Sequence, residues 1–284
     1  VPSAILKYIY DSPVPGAITL VEGNVLRVKL EAIDKRYTLV AVSDFPNVLE
    51  VTGTTHNSRA DSWAFAVTAR NAGNAKLMLR SGRGAGESAL TITPALVSVT
   101  VKKAVSLPDP GSDAGLLVRL FLVEMPAPQE WATAGISGLE AAREGMRMMH
   151  RVIANRLESG SAKEFMAAGA RDVRGIVTAS DRGNVQFAGF QHYPRIASKK
   201  QELIEARMAI VNDATNTPWH AKYVAFYEAA LSVATEPLAP DPSPTGLFAW
   251  RTDDSGAPSP EFVEFKTLGG NTFYTHKRLR LPGR

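Results

Sequence analysis

The sequence predicts two domains, an all-β sandwich followed by an α+β, helix-dominated domain. Three observations predict it. Short runs that alternate apolar and polar residues, separated by turn residues, fill positions 1–106. Leu107–Gly115 (LPDPGSDAG) then brings two prolines and two glycines together, the composition of a linker. After it the apolar spacing lengthens to three and four residues, the period of a helix. The reading is therefore 1–106 as the sandwich, 107–115 as the linker and 116–284 as the second domain, and a chain of 284 residues is long enough for both.

In the first domain, Ala17–Glu31 reads as two strands joined at Glu22-Gly23-Asn24, because its apolar residues change parity there. Tyr37–Val42, Val48–Thr52, Trp63–Thr68, Lys76–Leu79 and Ala89–Val101 are further strands, the last broken by Pro94 as a bulge or an edge strand would be. About seven short strands over about 100 residues read as an immunoglobulin-like sandwich. Gly82–Gly86 imitates a phosphate loop, but no Lys-Ser/Thr follows it.

The second domain opens on Leu116–Glu124 (LLVRLFLVE), apolar enough to be buried as helix or strand, with Pro126 forcing the chain out of it. Glu124 is thus expected where a buried element meets a loop, and desolvation there would hold a proton ready for donation. Ala132–Leu157 carries no proline and reads as an amphipathic helix. Arg143, Arg147, Arg151 and Arg156 are placed on its wet side and its methionines in the core. Glu164–Ala168 adds a short helix, Ser180–Asn184 a turn, and Lys199–Val211 a helix. Pro218–Ala234 is another, with a small-residue face at Ala221, Val224, Ala225, Ala229 and Val233. Leu247–Trp250 and Phe273–Tyr274 flank a Gly269-Gly270 turn. Helices with a few short strands around a carboxylate suggest a lysozyme-like α+β domain.

Composition narrows the chemistry. Hydrophobic content of 45% and charged content of 21% are those of ordinary globular protein. No apolar run reaches the roughly 18 residues of a membrane span, and Val1-Pro2-Ser3 leads into Lys7 and Asp11 with no visible signal peptide. Zero cysteines exclude disulfides and thiol nucleophiles. Residues 1–103 hold 12 Lys/Arg against 8 Asp/Glu and residues 104–284 hold 20 against 20, so the net +4 lies in the first part. That is too dispersed for a nucleic-acid face and suits mild attraction to an anionic polymer. His56, His150, His192, His220 and His276 are scattered, without HExxH, so no metal set and no cofactor are expected.

Several stretches, in order, carry a resemblance. They are the run ending in Glu124, Glu144-Gly145 leading to Val152-Ile153-Ala154-Asn155-Arg156, and Gln186-Phe187 with Phe190. Next come Ala230-Leu231 through Asp241-Pro242 to Thr245-Gly246-Leu247-Phe248-Ala249-Trp250, and finally Gly269-Gly270-Asn271-Thr272-Phe273-Tyr274. Residues 118–276 thereby resemble the SleB-type cell-wall hydrolases, lysozyme-like enzymes acting on peptidoglycan. The resemblance implies a peptidoglycan-cleaving glycosidase or lytic transglycosylase with one catalytic glutamate as general acid and base. It implies Glu124 as that residue, with Gln186 and Tyr274 beside it, and Thr178, Phe187, Phe248 and Trp250 toward the sugar. This chain departs from the family by an insertion at Met125–Gly138, which leaves Glu130, Glu140 and Glu144 as substitutes for the acid. Such an enzyme would work in the periplasm or cell wall, secreted, delivered or virion-associated. The sandwich would hold it on the wall or join it to a phage tail or secretion apparatus. The alternative is a non-catalytic peptidoglycan-binding or assembly protein.

Overall fold

Period-two alternation builds the first unit strand by strand. The computed structural model describes all residues except 1, 2, 32, 34, 35, 83–89, 161, 182, 183, 216, 217 and 282–284, and not the side chain at 254. Contacts divide the chain into two units, 1–105 with 212–220 and 106–211 with 221–284. The described residues of the first unit form nine strands: β1 (Ser3–Tyr8), β2 (Ala17–Val21), β3 (Val25–Leu30), β4 (Thr38–Ser43), β5 (Leu49–Asn57), β6 (Ser62–Ala69), β7 (Gly73–Gly82), β8 (Thr91–Thr93) and β9 (Leu96–Lys102). They form two sheets, β5-β6-β3-β1-β8 and β2-β9-β7-β4. Pairing is antiparallel except for β1 with β8 and β2 with β9. Leu6, Val28, Leu30 and Val67 of one sheet and Leu20, Leu77, Val97 and Val99 of the other belong to a single buried cluster. Each such side chain stabilises the fold by about 1.5–3 kcal/mol.

Glu22–Asn24 joins β2 to β3 with Gly23 at φ +88°, and Pro94 separates edge strand β8 from β9. The sequence reading missed β1, although Ala4 and Leu6 are buried and Ile5 between them is exposed. Positions 83–86 of the glycine-rich loop lie outside the described residues, as do Ala89 of the expected last strand and 182 and 183 of the expected Ser180–Asn184 turn.

The second unit contains α1 (Asp113–Glu124), α2 (Leu139–Glu158), α3 (Val173–Val177), α4 (Ser198–Val211) and all but the first turn of α5 (Trp219–Thr235). Its strands are β10 (Ser180–Asp181), β11 (Asn184–Val185), β12 (Ala249–Thr252), β13 (Phe262–Leu268) and β14 (Asn271–His276). β12, β14 and β13 make an antiparallel sheet in that order. Gly269 and Gly270 turn the β13–β14 hairpin with φ +67° and +72°, which glycine adopts without strain.

The expected fold class needs correction. The described residues are about 31% strand and 28% helix, with four sheets and five helices among them, so the structure is mixed and not helix-dominated. The three-stranded sheet is what the reading undercounted. β13 exposes Val263 and buries none of its residues fully, so its sequence shows no clean alternation of apolar and polar residues to reveal it.

Element limits also move, each for a local reason. Part of the expected linker is helix. The Ser112 hydroxyl accepts from the Gly115 N–H at 3.0 Å and starts α1 at Asp113. Gly138, with φ +138°, delays α2 to Leu139, so 132–135 are turn and 136–138 irregular. The short helix expected at Glu164–Ala168 is a 3₁₀ turn at Ala162–Phe165. α5 buries Tyr223, Phe226, Tyr227, Ala229, Ala230 and Val233, and Ala221 is exposed, so its packed face is half aromatic and half small residues. α1 buries Leu116, Leu117, Val118, Leu120, Phe121 and Leu122, nearly its whole circumference. No described helix is long and apolar enough to cross a membrane.

Candidate functional site

Glu124 is the last residue of α1, and a cleft of about 720 Å³ opens beside it. The chain is pinned there from α4. Arg207, 5% exposed, donates to the Leu122 carbonyl and, at 2.9 Å, to the Met125 carbonyl. These are the carbonyls a helix end leaves without intrahelical partners. Two turns earlier on α4, the Lys200 ammonium lies 2.8 Å from the Glu124 carboxylate, each side chain about a quarter exposed (26% and 25%). Glu124 does end the buried element, but one side of its carboxylate is engaged in an ion pair.

The opposite part of the cleft comes from the chain after β11 and from β12. Gln186 anchors its N–H on the Ala179 carbonyl at 3.1 Å, and its Oε1 accepts from Arg156 Nη1 at 2.5 Å. Phe187 packs on Trp250 of β12 with ring centroids 5.1 Å apart. Arg251, Thr252, Lys199 and Leu203 complete the rim, and Asn271 at the start of β14 is buried at its base. Thr252 also borders a shallower depression of about 610 Å³ formed with Pro126, Thr133, Gly135, Asp253 and Gly270.

Arg156 is not on a wet face. It is 6% exposed, donates through Nε to the Phe248 carbonyl at 2.8 Å, and stacks between Phe165 and Phe187 at 4.5 and 5.7 Å. Burial pushes its pKa down to about 9, which leaves it charged at neutral pH. Beneath it, Asp241 ties the 241–247 turn to α2. It accepts from Asn155, from the Ser243 N–H and hydroxyl at 2.7 and 2.6 Å, and from the Leu247 N–H at 3.0 Å. Burial opposes the charge on Asp241, but these bonds outweigh it and hold the carboxyl below the usual aspartate value.

Glu124, Gln186, Phe187 and Trp250 thus line one cleft, and Glu124 is the one carboxylate among its described lining residues. The other expected site residues lie elsewhere. Tyr274 is 3% exposed, pairs with Ala249 in the sheet and meets Phe262 edge-on. Phe248 is fully buried and stacks on Phe165 at 5.9 Å. Thr178 caps α3, its hydroxyl donating to the Arg174 carbonyl at 2.8 Å. Glu130 accepts the Ala127 N–H at 2.7 Å and lies 3.4 Å from Arg207, while Glu140 and Glu144 pair with Arg143 and Arg147 on α2. His150 packs against Phe121 and meets the Val233 carbonyl at 3.2 Å, and burial lowers its pKa. Among the described residues no three His, Asp or Glu side chains gather as a metal set.

The comparisons assign no family. No family model matches the chain, and no curated protein matches it. Solved structures match in part. The cysteine protease inhibitor EhICP2 of Entamoeba histolytica does so at TM-score 0.26 and 10% identity, over 30% of this chain and 85% of that one. Domains 4 and 5 of the S-layer protein SbsC match at 0.24 and 16%, over 35% of this chain and 53% of that one. The adhesin InvE of Yersinia pseudotuberculosis matches at 0.22 and 15%, over 36% and 26%. Likenesses this distant bear on no function.

The sequence reading gave no site role to Arg156, Lys200, Arg207 and Asn271, and it set Arg156 on the wet side of its helix. Two of the four had a signal. Arg156 continues the apolar column Met149–Val152 of α2 at the next helical step, and Arg207 sits between Ile204 and Met208 on the packed side of α4. An arginine in an apolar register is a buried cation with a partner to find.

Proposed function

We propose that the second unit cleaves the glycan strand of peptidoglycan, with Glu124 as general acid and base. The observation that carries this reading is the convergence of Glu124, Gln186, Phe187 and Trp250 on one cleft from stretches far apart in the chain. These four are among the seven residues that the likeness to SleB-type hydrolases pointed to. The two adjoining depressions that share Thr252 suit a polymer lying across the Glu124 end of α1.

Protonated Glu124 gives its proton to the glycosidic oxygen, the C1–O bond breaks, and the sugar ring passes through an oxocarbenium-like state. The resulting carboxylate then takes a proton from the attacking hydroxyl. That hydroxyl is water, leaving a reducing end, or the 6-hydroxyl of the same muramic residue, leaving a 1,6-anhydro end. Donation requires the Lys200 pair to open first. Phe187 and Trp250 give sugar rings apolar faces. Gln186 Nε2 has no protein acceptor among the described residues and donates to a sugar oxygen. The first unit serves to hold the enzyme at the wall or to join it to a delivery machine.

One observation favours a second reading, a protein that binds peptidoglycan without cutting it: the Glu124 carboxylate is already engaged by Lys200. Mass spectrometry of the soluble fraction from purified sacculi separates the two. Muropeptides with hydrated or anhydro ends support cleavage. Sacculi that retain the protein and release nothing support binding alone.

A further inference from the structure

Four cations, Arg156, Lys199, Lys200 and Arg251, line the cleft against the single carboxylate of Glu124, and only Lys200 pairs with it. Arg156 stands apart from the others because it is buried. A buried charge is costly unless an opposite charge or several hydrogen bonds compensate it. No carboxylate lies within ion-pair distance of Arg156 among the described residues. Two of the five guanidinium N–H groups are used, one on the Phe248 carbonyl and one on Gln186. Those bonds and the flanking Phe165 and Phe187 rings fix the plane of the guanidinium, so it is preorganised before anything enters the cleft.

We propose that Arg156 forms an anion subsite in the cleft and takes a carboxylate carried by the bound glycan, with Gln186 as the residue that holds the guanidinium in place. The proposal rests on the glycan reading and adds to it that the ligand is an acidic polymer. A planar guanidinium with free N–H groups matches a carboxylate bidentately, and a fixed one discriminates more sharply than the exposed Lys199 and Arg251. Two carboxylates could fill the subsite. One is the lactyl group of a muramic residue lacking its peptide, and the other belongs to an attached stem peptide.

Calorimetric titration of the full chain tests this with three probes. They are the N-acetylglucosaminyl-N-acetylmuramic acid disaccharide, its lactyl methyl ester, and the disaccharide bearing a stem peptide. The acid or the peptide-bearing probe is expected to bind at least about ten-fold tighter than the ester, about 1.4 kcal/mol. Whichever of the two binds tighter names the source of the carboxylate. Arg156→Gln is expected to abolish the preference, so that the acid, the peptide-bearing probe and the ester bind alike in that variant. Lys199→Gln with Arg251→Gln, both exposed positions, is expected to retain it, which decides the matter if the Arg156 variant does not fold. Equal binding of the ester and both carboxylated probes overturns the proposal while leaving the glycan reading intact. Loss of the preference in the Lys199/Arg251 variant, or its survival in Arg156→Gln, overturns it too. Failure of all three probes to bind overturns the proposal and the glycan reading together.

Discussion

At the scale of single residues, the cleft is held by charges that face inward. Arg207 serves two carbonyls at the end of α1 from a position 5% exposed, and burial lowers its pKa. Arg207→Met keeps much of the volume but leaves those carbonyls without a donor. A loss of about 3 kcal/mol is expected in urea unfolding, because buried groups deprived of partners cost roughly 1–3 kcal/mol each. Asp241 gives a pH-dependent prediction. Its folded pKa lies below its unfolded value, so its contribution is complete above the ordinary aspartate pKa of about 3.9 and is lost as pH falls through the folded value. Thermal melts from pH 6 to 2 should therefore show a stability loss at the acid end that Asp241→Asn diminishes. An unchanged slope in that variant would remove Asp241 from the explanation.

At the scale of elements, the strands of the first unit after β1 and the helices α2, α4 and α5 were legible because each keeps one period over many residues, whereas α1, apolar nearly all round, was legible only as a buried run of either type. What was lost was lost at ends and in irregular segments. Ser112-Asp113 looked like linker because Pro108, Pro110 and Gly111 surround it, yet a serine before an apolar run is an N-cap. Gly115 shows what that helix start requires. A Cβ there would lie 1.9 Å from the Asp109 carbonyl oxygen, which is backbone and has no rotamer to escape into. Gly115→Ala is expected to destabilise by more than about 3 kcal/mol despite alanine's better helix propensity, measured by chemical unfolding. An effect below 1 kcal/mol, as in an unencumbered helix, would mean that the 108–112 turn yields easily.

For the whole molecule, the division after the first hundred residues could be read from the change in apolar period, but the balance of the second unit could not. β13 leaves no alternating apolar signature, so a sheet that carries Trp250 and Asn271 to the cleft looked like isolated fragments. Phe248 and Tyr274 show the same limit from the other side. The sequence resemblance implied Phe248 toward the sugar and Tyr274 beside Glu124, but an aromatic in a motif does not reveal whether it faces the cleft or the core. Packing decided that both are core. The place of Glu124 at the end of a buried element was legible from the Met125-Pro126 break. Its ion pair was not, because Lys200 lies 76 residues away in sequence.

Glycan cleavage by Glu124 is the central claim, and one measurement tests it most directly. Soluble muropeptides released from purified sacculi are quantified for the wild-type chain and for Glu124→Gln, with the melting temperature of each recorded. The expected result is release by the wild type and a fall of at least about a thousand-fold in the variant, which keeps its melting temperature, since the general acid is the only proton donor assigned to the reaction. Equal release by a folded Glu124→Gln chain would contradict it.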